Sequence, residues 1–229
     1  MRKLLIAVVV LVLLGAGADF AAARIFEDRV TDALQREYDL GRRPVVQVRD
    51  VPFLPHLATG RFSTIDVAAT DARAKGVTAA ELQLTLHGVR VPGEVMLGEP
   101  GRVTVERADG TIELTEAEVN RLLADRLQGG KLAITDDGVE VRVDLALVGQ
   151  TLVKGKLGAR DGAVTFTPEE IRLGEQGRLD PAAEDLLSDR FTFQVPLPEL
   201  PAGVRLEQVE TRPGTLVLSG RAASVGVAA

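Results

Sequence analysis

Between residues 139 and 147 the chain alternates with a strict period of two. Val139, Val141, Val143, Leu145 and Leu147 fall on one side, and Glu140, Arg142, Asp144 and Ala146 on the other. Successive side chains of a strand point to opposite faces, so the pattern predicts a strand with one buried and one wetted face. Strands of parallel sheets are covered on both faces and read as continuous apolar runs, so this alternation predicts antiparallel sheet. Ile65, Val67 and Ala69 alternate likewise, as do Leu82, Leu84 and Leu86. Val89 and Val91 then continue out of step, which predicts a bulge at Gly88. Asp109-Gly110, Asp137-Gly138 and Asp161-Gly162 each lie between strand-like segments. Asp-Gly tolerates the positive φ of tight hairpins, so all three are expected to turn a meander of long strands.

Helices interrupt this pattern. Phe26, Val30, Ala33, Leu34 and Tyr38 recur at helical spacing and predict a helix over residues 24–40, ended by Gly41. Thr115-Glu116-Ala117-Glu118 is a capping box. It opens a helix expected to bury Val119, Leu122, Leu123 and Leu127 and to stop at Gly129-Gly130. Asp180-Pro181 predicts a third helix, with Ala183, Leu186 and Leu187 inward. The stretch 109–119 resembles 161–171 at an offset of 52, either as duplicated hairpin modules or as reuse of the same turn chemistry.

The N-terminus reads as an export signal. Arg2 and Lys3 precede eleven apolar residues, Leu4 to Leu14, and then Gly15-Ala16-Gly17-Ala18. A span needs about 20 apolar residues, so the run is short for one. Cleavage is expected after Ala18, with a second acceptable site after Ala23. An uncleaved anchor is the alternative, because Phe20 to Ala23 extend the apolar stretch across Asp19. Residues 24–229 are expected to form a single domain. With no cysteine, the chain carries no lipoprotein signal, thiol chemistry or zinc–thiolate site, and an exported form must hold together by packing alone.

Composition narrows the partners. The chain has 27 basic and 33 acidic residues, and a cut after Ala18 leaves 25 against 33. A net acidic chain without a basic block is a poor nucleic-acid binder, and bulk charge does not draw it to anionic lipid. With seven Phe, one Tyr and no Trp, the aromatic platforms of sugar clefts and base-stacking sites are scarce. Val, Leu and Ala instead suit an aliphatic interior.

Catalytic patterns are weak. None of the four Ser sits in Gly-x-Ser-x-Gly, and the two His, His56 and His87, lie 31 residues apart without metal-ligand spacing. His87 falls on the wet phase of its strand and is expected to be solvated. Asp136-Asp137 abuts a turn, and Glu169-Glu170 reads as a helix start or loop, so neither pair reads as a glycosidase dyad. The segment Val51-Pro52-Phe53-Leu54-Pro55-His56-Leu57 stands out more. Its prolines argue against a helix or a central strand, yet it carries Phe53, Leu54 and Leu57. Such a loop either caps the core or forms a lip that meets membrane or admits an acyl chain. Pro196 to Gly203 is a second proline-rich apolar stretch, expected to be a rigid crossover.

Taken in order, these segments resemble the LmeA-like family of exported actinobacterial phospholipid-binding proteins. The resemblance rests on the N-terminal signal and helix, Val48-Arg49-Asp50-Val51-Pro52-Phe53-Leu54 with Gly60-Arg61, and the strands from Leu82 to Val91. It continues through Ile112-Glu113-Leu114-Thr115-Glu116-Ala117-Glu118-Val119-Asn120 and Leu197-Pro198-Glu199-Leu200-Pro201-Ala202-Gly203-Val204. It implies an envelope protein that binds phospholipid, in mycobacteria connected with mannan elongation of phosphatidylinositol-anchored lipoglycans. It also implies a fold like the tubular lipid-binding modules, a long curved antiparallel sheet wrapped around helices, and no catalytic motif.

The expected protein is therefore α+β, with no cofactor or metal, and holds a phospholipid or other membrane lipid in an aliphatic groove on the outer side of the cytoplasmic membrane. Phe53, Leu54 and Phe62 are placed near an entrance, and Leu84, Leu86, Val141, Val143 and Leu145 along the interior. His56 and Arg61 are placed near the headgroup. A filled core predicts the same apolar faces. The competing expectation is a scaffold that carries no lipid and binds an envelope enzyme such as a glycosyltransferase.

Overall fold

The structure is a computed structural model that describes residues 2–37, 40–74, 76–96, 99–127, 129–145, 149–160, 162–173, 177–178, 193–196 and 204–228. The elements in chain order are α1 (Arg2–Glu37), β1 (Val45–Val48), α2 (Phe53–Thr59), β2 (Arg61–Ala74), β3 (Val77–Arg90), α3 (Gly93–Met96), β4 (Arg102–Thr115) and α4 (Glu116–Leu127). There follow β5 (Lys131–Thr135), β6 (Gly138–Leu145), β7 (Gly149–Arg160), β8 (Ala163–Leu173), β9 (Gly177–Arg178), β10 (Phe193–Pro196), β11 (Val204–Arg212) and β12 (Thr215–Ala228). One sheet runs β1-β2-β3-β4-β12-β11 and a second runs β10-β8-β7-β6-β5, with β9 on β8. The chain is α+β and rich in antiparallel sheet, as its alternation predicts. The expected helix at 180–187 and the stretch 197–203 lie outside the described residues, as do Tyr38 and Leu147. By packing, the chain divides into Met1–Thr70, Gln83–Asp109 and Ala222–Ala229 as one unit, and Asp71–Leu82 with Gly110–Arg221 as the other.

In the first unit α1 is longer than the 24–40 periodicity implies. Ala22, Ala23, Phe26, Val30 and Leu34 recur every three or four residues and pack against a core of Val46, Phe53, Phe62, Ile65, Val89 and Val105. Gly15 and Gly17 weaken a helix without breaking it, so α1 runs on toward the N-terminus. The phase slip in β3 is also present. Gly88 sits at φ 63, and Leu86 and Val89 on either side of it both meet the core.

The expectation that Pro52 and Pro55 exclude a helix is wrong, for a reason that lies 34 residues away. A helix leaves its first four N–H groups without internal partners. In α2 those positions are Pro52, Phe53, Leu54 and Pro55. The two prolines have no N–H to satisfy, and the other two N–H groups donate to the Asp19 carboxylate at 2.8 and 2.7 Å. Proline is harmless at a helix start, and here it takes two of the four such places. Gly60 closes α2 in the left-handed conformation at φ 64, and its carbonyl accepts the Val91 N–H at 2.8 Å.

In the second unit two of the three Asp-Gly pairs lie at hairpin connections. Thr135 pairs with Gly138 across Asp136-Asp137, and Arg160 pairs with Ala163 across 161–162. The third pair does not turn. Asp109-Gly110 lies inside β4, a strand with a neighbour on each side, so sheet pairing overrides local turn propensity. Glu169-Glu170 lies inside β8 rather than at a helix start. The register shifts there, and Glu169 is the extra residue, paired to Lys156 at 2.7 Å.

The capping box of α4 forms through Thr115 Oγ1, which accepts the Glu118 N–H at 3.2 Å. Val119, Leu123 and Leu127 are buried, but Leu122 is 38% exposed and leaves the inward face predicted for it. α4 also covers the edge of the second sheet, where β5 is the last strand. Asn120 donates to the Leu132 carbonyl at 2.7 Å and accepts its N–H at 2.8 Å, and Glu116 accepts the Ile134 N–H at 2.9 Å. Backbone groups that would template aggregation are thereby occupied.

Gly60 and Gly76 separate two effects. Both hold positive φ, but a Cβ at Gly60 would collide with the Val91 carbonyl, whereas open space surrounds Gly76. Gly76→Ala is expected to cost about 1 kcal/mol for the left-handed backbone, and Gly60→Ala about 2 kcal/mol or more. Urea unfolding of the two variants measures the difference.

Candidate lipid-contact site

The segment from Val48 to Arg61 sorts its residues between fold and surface. The Val48 N–H donates to Glu27 of α1 at 3.0 Å. Arg49 pairs with Asp66. Asp50 accepts the N–H groups of Ser63 at 2.9 Å and Thr64 at 3.4 Å. Phe53 and Phe62 are 1% and 2% exposed and form a triad with Phe26. The ring centroids lie 5.5 Å (Phe26–Phe53), 5.2 Å (Phe26–Phe62) and 5.9 Å (Phe53–Phe62) apart. This triad joins α1, α2 and β2. Each pair adds about 0.5–1.5 kcal/mol beyond the apolar area it removes from water.

What the fold does not use is apolar and exposed. Val51 is 86% exposed and Leu54 41%. Phe20, next to the Asp19 cap, is 63% exposed, with the Arg24 guanidinium 5.1 Å from its ring centre. Phe20 follows the Asp19 whose carboxylate caps α2, the helix that begins just after Val51 and carries Leu54. Arg61 is also exposed. His56 Nδ1 lies 3.0 Å from the Arg61 carbonyl and 3.6 Å from Asp50.

The other candidate positions fall in different places. In the first unit Leu84 is half-buried and Leu86 packs against the core of Phe53 and Phe62. In the second unit Val141 is buried and Val143 half-buried on the inner face of β6. The Leu145 backbone pairs with Gly149, and its side chain lies outside what is described. His87 is not simply solvated. Its Nδ1 is 3.4 Å from Thr64 Oγ1 and its Nε2 is 3.4 Å from Asp109.

Most of the acidic residues between 112 and 120 hold the second unit together. Glu118 accepts the Thr78 N–H at 2.7 Å and the Arg121 guanidinium at 2.6 and 2.8 Å. The Arg121 hydrogen bonds hold its carboxyl below the ordinary value of 4.5 against the opposing effect of burial, and the Thr78 N–H adds to the lowering. Lys154 lowers the Glu140 carboxyl in the same way, at 2.7 Å. Both are paired anions rather than the raised-pKa acids that glycoside cleavage uses. A cavity of about 560 Å³ beside α4 is lined by Ala117, Asn120, Arg121, Ala124, Gly129, Gly130 and Lys131, none of them a candidate lipid-contact residue. Among the described residues no cluster of His, Cys, Asp or Glu is arranged to hold a metal ion.

Sequence reading missed Asp19, Phe20 and Val51 as parts of one site. The available signal was that Asp19 is the single charge between Lys3 and Arg24, where it read only as a break in an apolar stretch. A family model described as LmeA-like phospholipid-binding matches residues 17–221. No curated protein and no solved structure matches the chain.

Phe53 and Leu54 adjoin but do different work. Phe53→Ala is expected to cost about 3–5 kcal/mol, the range for emptying a core aromatic site. Leu54→Ala is expected to cost less than about 1 kcal/mol, because the side chain already meets water. Thermal unfolding of both variants checks the contrast.

Proposed function

The chain belongs to the LmeA-like phospholipid-binding family, and from that premise we propose that it is an exported cell-envelope protein that binds phospholipid through apolar contact. The match over residues 17–221 carries the phospholipid-binding part of this reading. The location of Val51, Leu54 and Phe20 supports it: they are large apolar side chains left outside a core that already buries Phe53 and Phe62. Acyl chains gain about 0.8 kcal/mol per CH₂ removed from water, so a few methylenes on such a surface outweigh any single polar contact. The chain is net acidic, so in this reading the headgroup meets local groups, and Arg61 and His56 are the ones proposed. The N-terminal run delivers the chain to the outer face of the cytoplasmic membrane, where it supports lipid or lipoglycan assembly. Phosphatidylinositol is the proposed headgroup class.

Titration of the protein with acyl-labelled fluorescent phosphatidylinositol, and with the phosphatidylcholine analogue, tests this. Emission is expected to rise to saturation as the label leaves water, at lower lipid concentration for the inositol lipid. Absence of a saturable rise with either lipid would move the weight to a scaffold that binds an envelope glycosyltransferase and carries no lipid.

A further inference from the structure

We propose that, in the chain that keeps its N-terminal segment, Phe20, Val51 and Leu54 form a membrane-docking corner that seats the first unit directly on a bilayer. The proposal takes its class of partner from the phospholipid reading, but its geometry comes from α1. From Asp19 onward one stripe of α1 faces the core, as Ala22, Ala23, Phe26, Val30 and Leu34. From Val12 to Ala18 the helix continues without that cover. Val12, Leu13 and Leu14 are 62%, 66% and 66% exposed. Consecutive helical residues are about 100° apart, so these three point to three sides of the helix. A helix docked on a protein partner keeps a polar face toward water, whereas this one is apolar all round, a pattern whose surroundings are apolar on every side. The occupant is therefore hydrocarbon.

The length of that segment places the rest. Leu4 to Ala18 contains no charge, which at 1.5 Å per residue is roughly 22 Å of helix. A bilayer core is about 30 Å thick. Among the described residues no helix is long and apolar enough to cross a membrane. A short insert thins the bilayer around it, which keeps its flanks at the interface. The first flank reached is Asp19, and its carboxylate is fastened to the Phe53 and Leu54 N–H groups at 2.8 and 2.7 Å. Whatever lowers Asp19 to the interface lowers the start of α2 with it. Phe20, Val51 and Leu54 supply the apolar contact there. Arg24, held over the Phe20 ring and 65% exposed in its side chain, supplies a cation at headgroup level.

The chain has no Trp and no Cys, so a single reporter can be read without background. Full-length Val51→Trp and Leu54→Trp variants are placed in phosphatidylcholine nanodiscs, with and without bromine on the acyl chains. Val45→Trp, on a residue 56% exposed in β1 of the same unit, is the control. The expected result is blue-shifted emission and strong bromine quenching at positions 51 and 54, and neither at 45. Equal quenching at all three positions, or none at 51 and 54, overturns the proposal. If a Trp variant fails to fold, Val51→Cys or Leu54→Cys carrying a bimane gives the same readout. Quenching without saturable uptake of the labelled phosphatidylinositol would keep the corner and sink the cargo reading. Uptake without quenching would do the reverse.

Discussion

The carboxylate of Asp19 is the constraint on which the N-terminal architecture depends. Without it, Phe53 and Leu54 would begin a helix with two unpaired N–H groups between two prolines. A hydrogen bond to a charged group is worth about 1.5–3 kcal/mol, so two of them are enough to decide whether a seven-residue helix exists. Once α2 is fixed, Phe53 turns inward onto Phe26 and Phe62, and the triad locks α1 to β2. The same fixation forces Val51 and Leu54 outward. Core and exposed apolar surface are thus two consequences of one polar contact.

Two of the segments that carry the resemblance divide their labour differently. Between 115 and 120 most of the polar side chains are committed within the fold: Thr115 caps α4, Glu116 and Asn120 close the β5 edge, and Glu118 ties β3 to α4. Between 48 and 61 the polar residues Arg49 and Asp50 are likewise committed, but apolar ones are left over. A segment that commits Arg49 and Asp50 internally and leaves Val51 and Leu54 in water suits a partner that offers hydrocarbon.

The strands were legible where their pattern depends only on neighbours. The alternation at 65–69 and 139–143, and the slip at Gly88, needed nothing beyond the local sequence. The capping box at Thr115 was legible for the same reason. What failed depended on residues far away. Proline is tolerated in α2 because of Asp19, and Asp109-Gly110 stays extended because β4 has a neighbour on each side. Glu118 finds its Thr78 partner 40 residues upstream. The candidate site met the same barrier. Phe53 and Leu54 are adjacent and chemically alike, yet one is 1% exposed and the other 41%. Hydrophobicity marked the segment without telling core from contact surface.

A chain that binds phospholipid keeps its lipid through a purification that avoids detergent. Native mass spectrometry of the protein, expressed with its N-terminal segment and recovered without detergent, followed by organic extraction, tests that binding most directly. The expected result is a bound mass that extracts as a phospholipid. A clean apo mass that persists after incubation with phospholipid vesicles would contradict it.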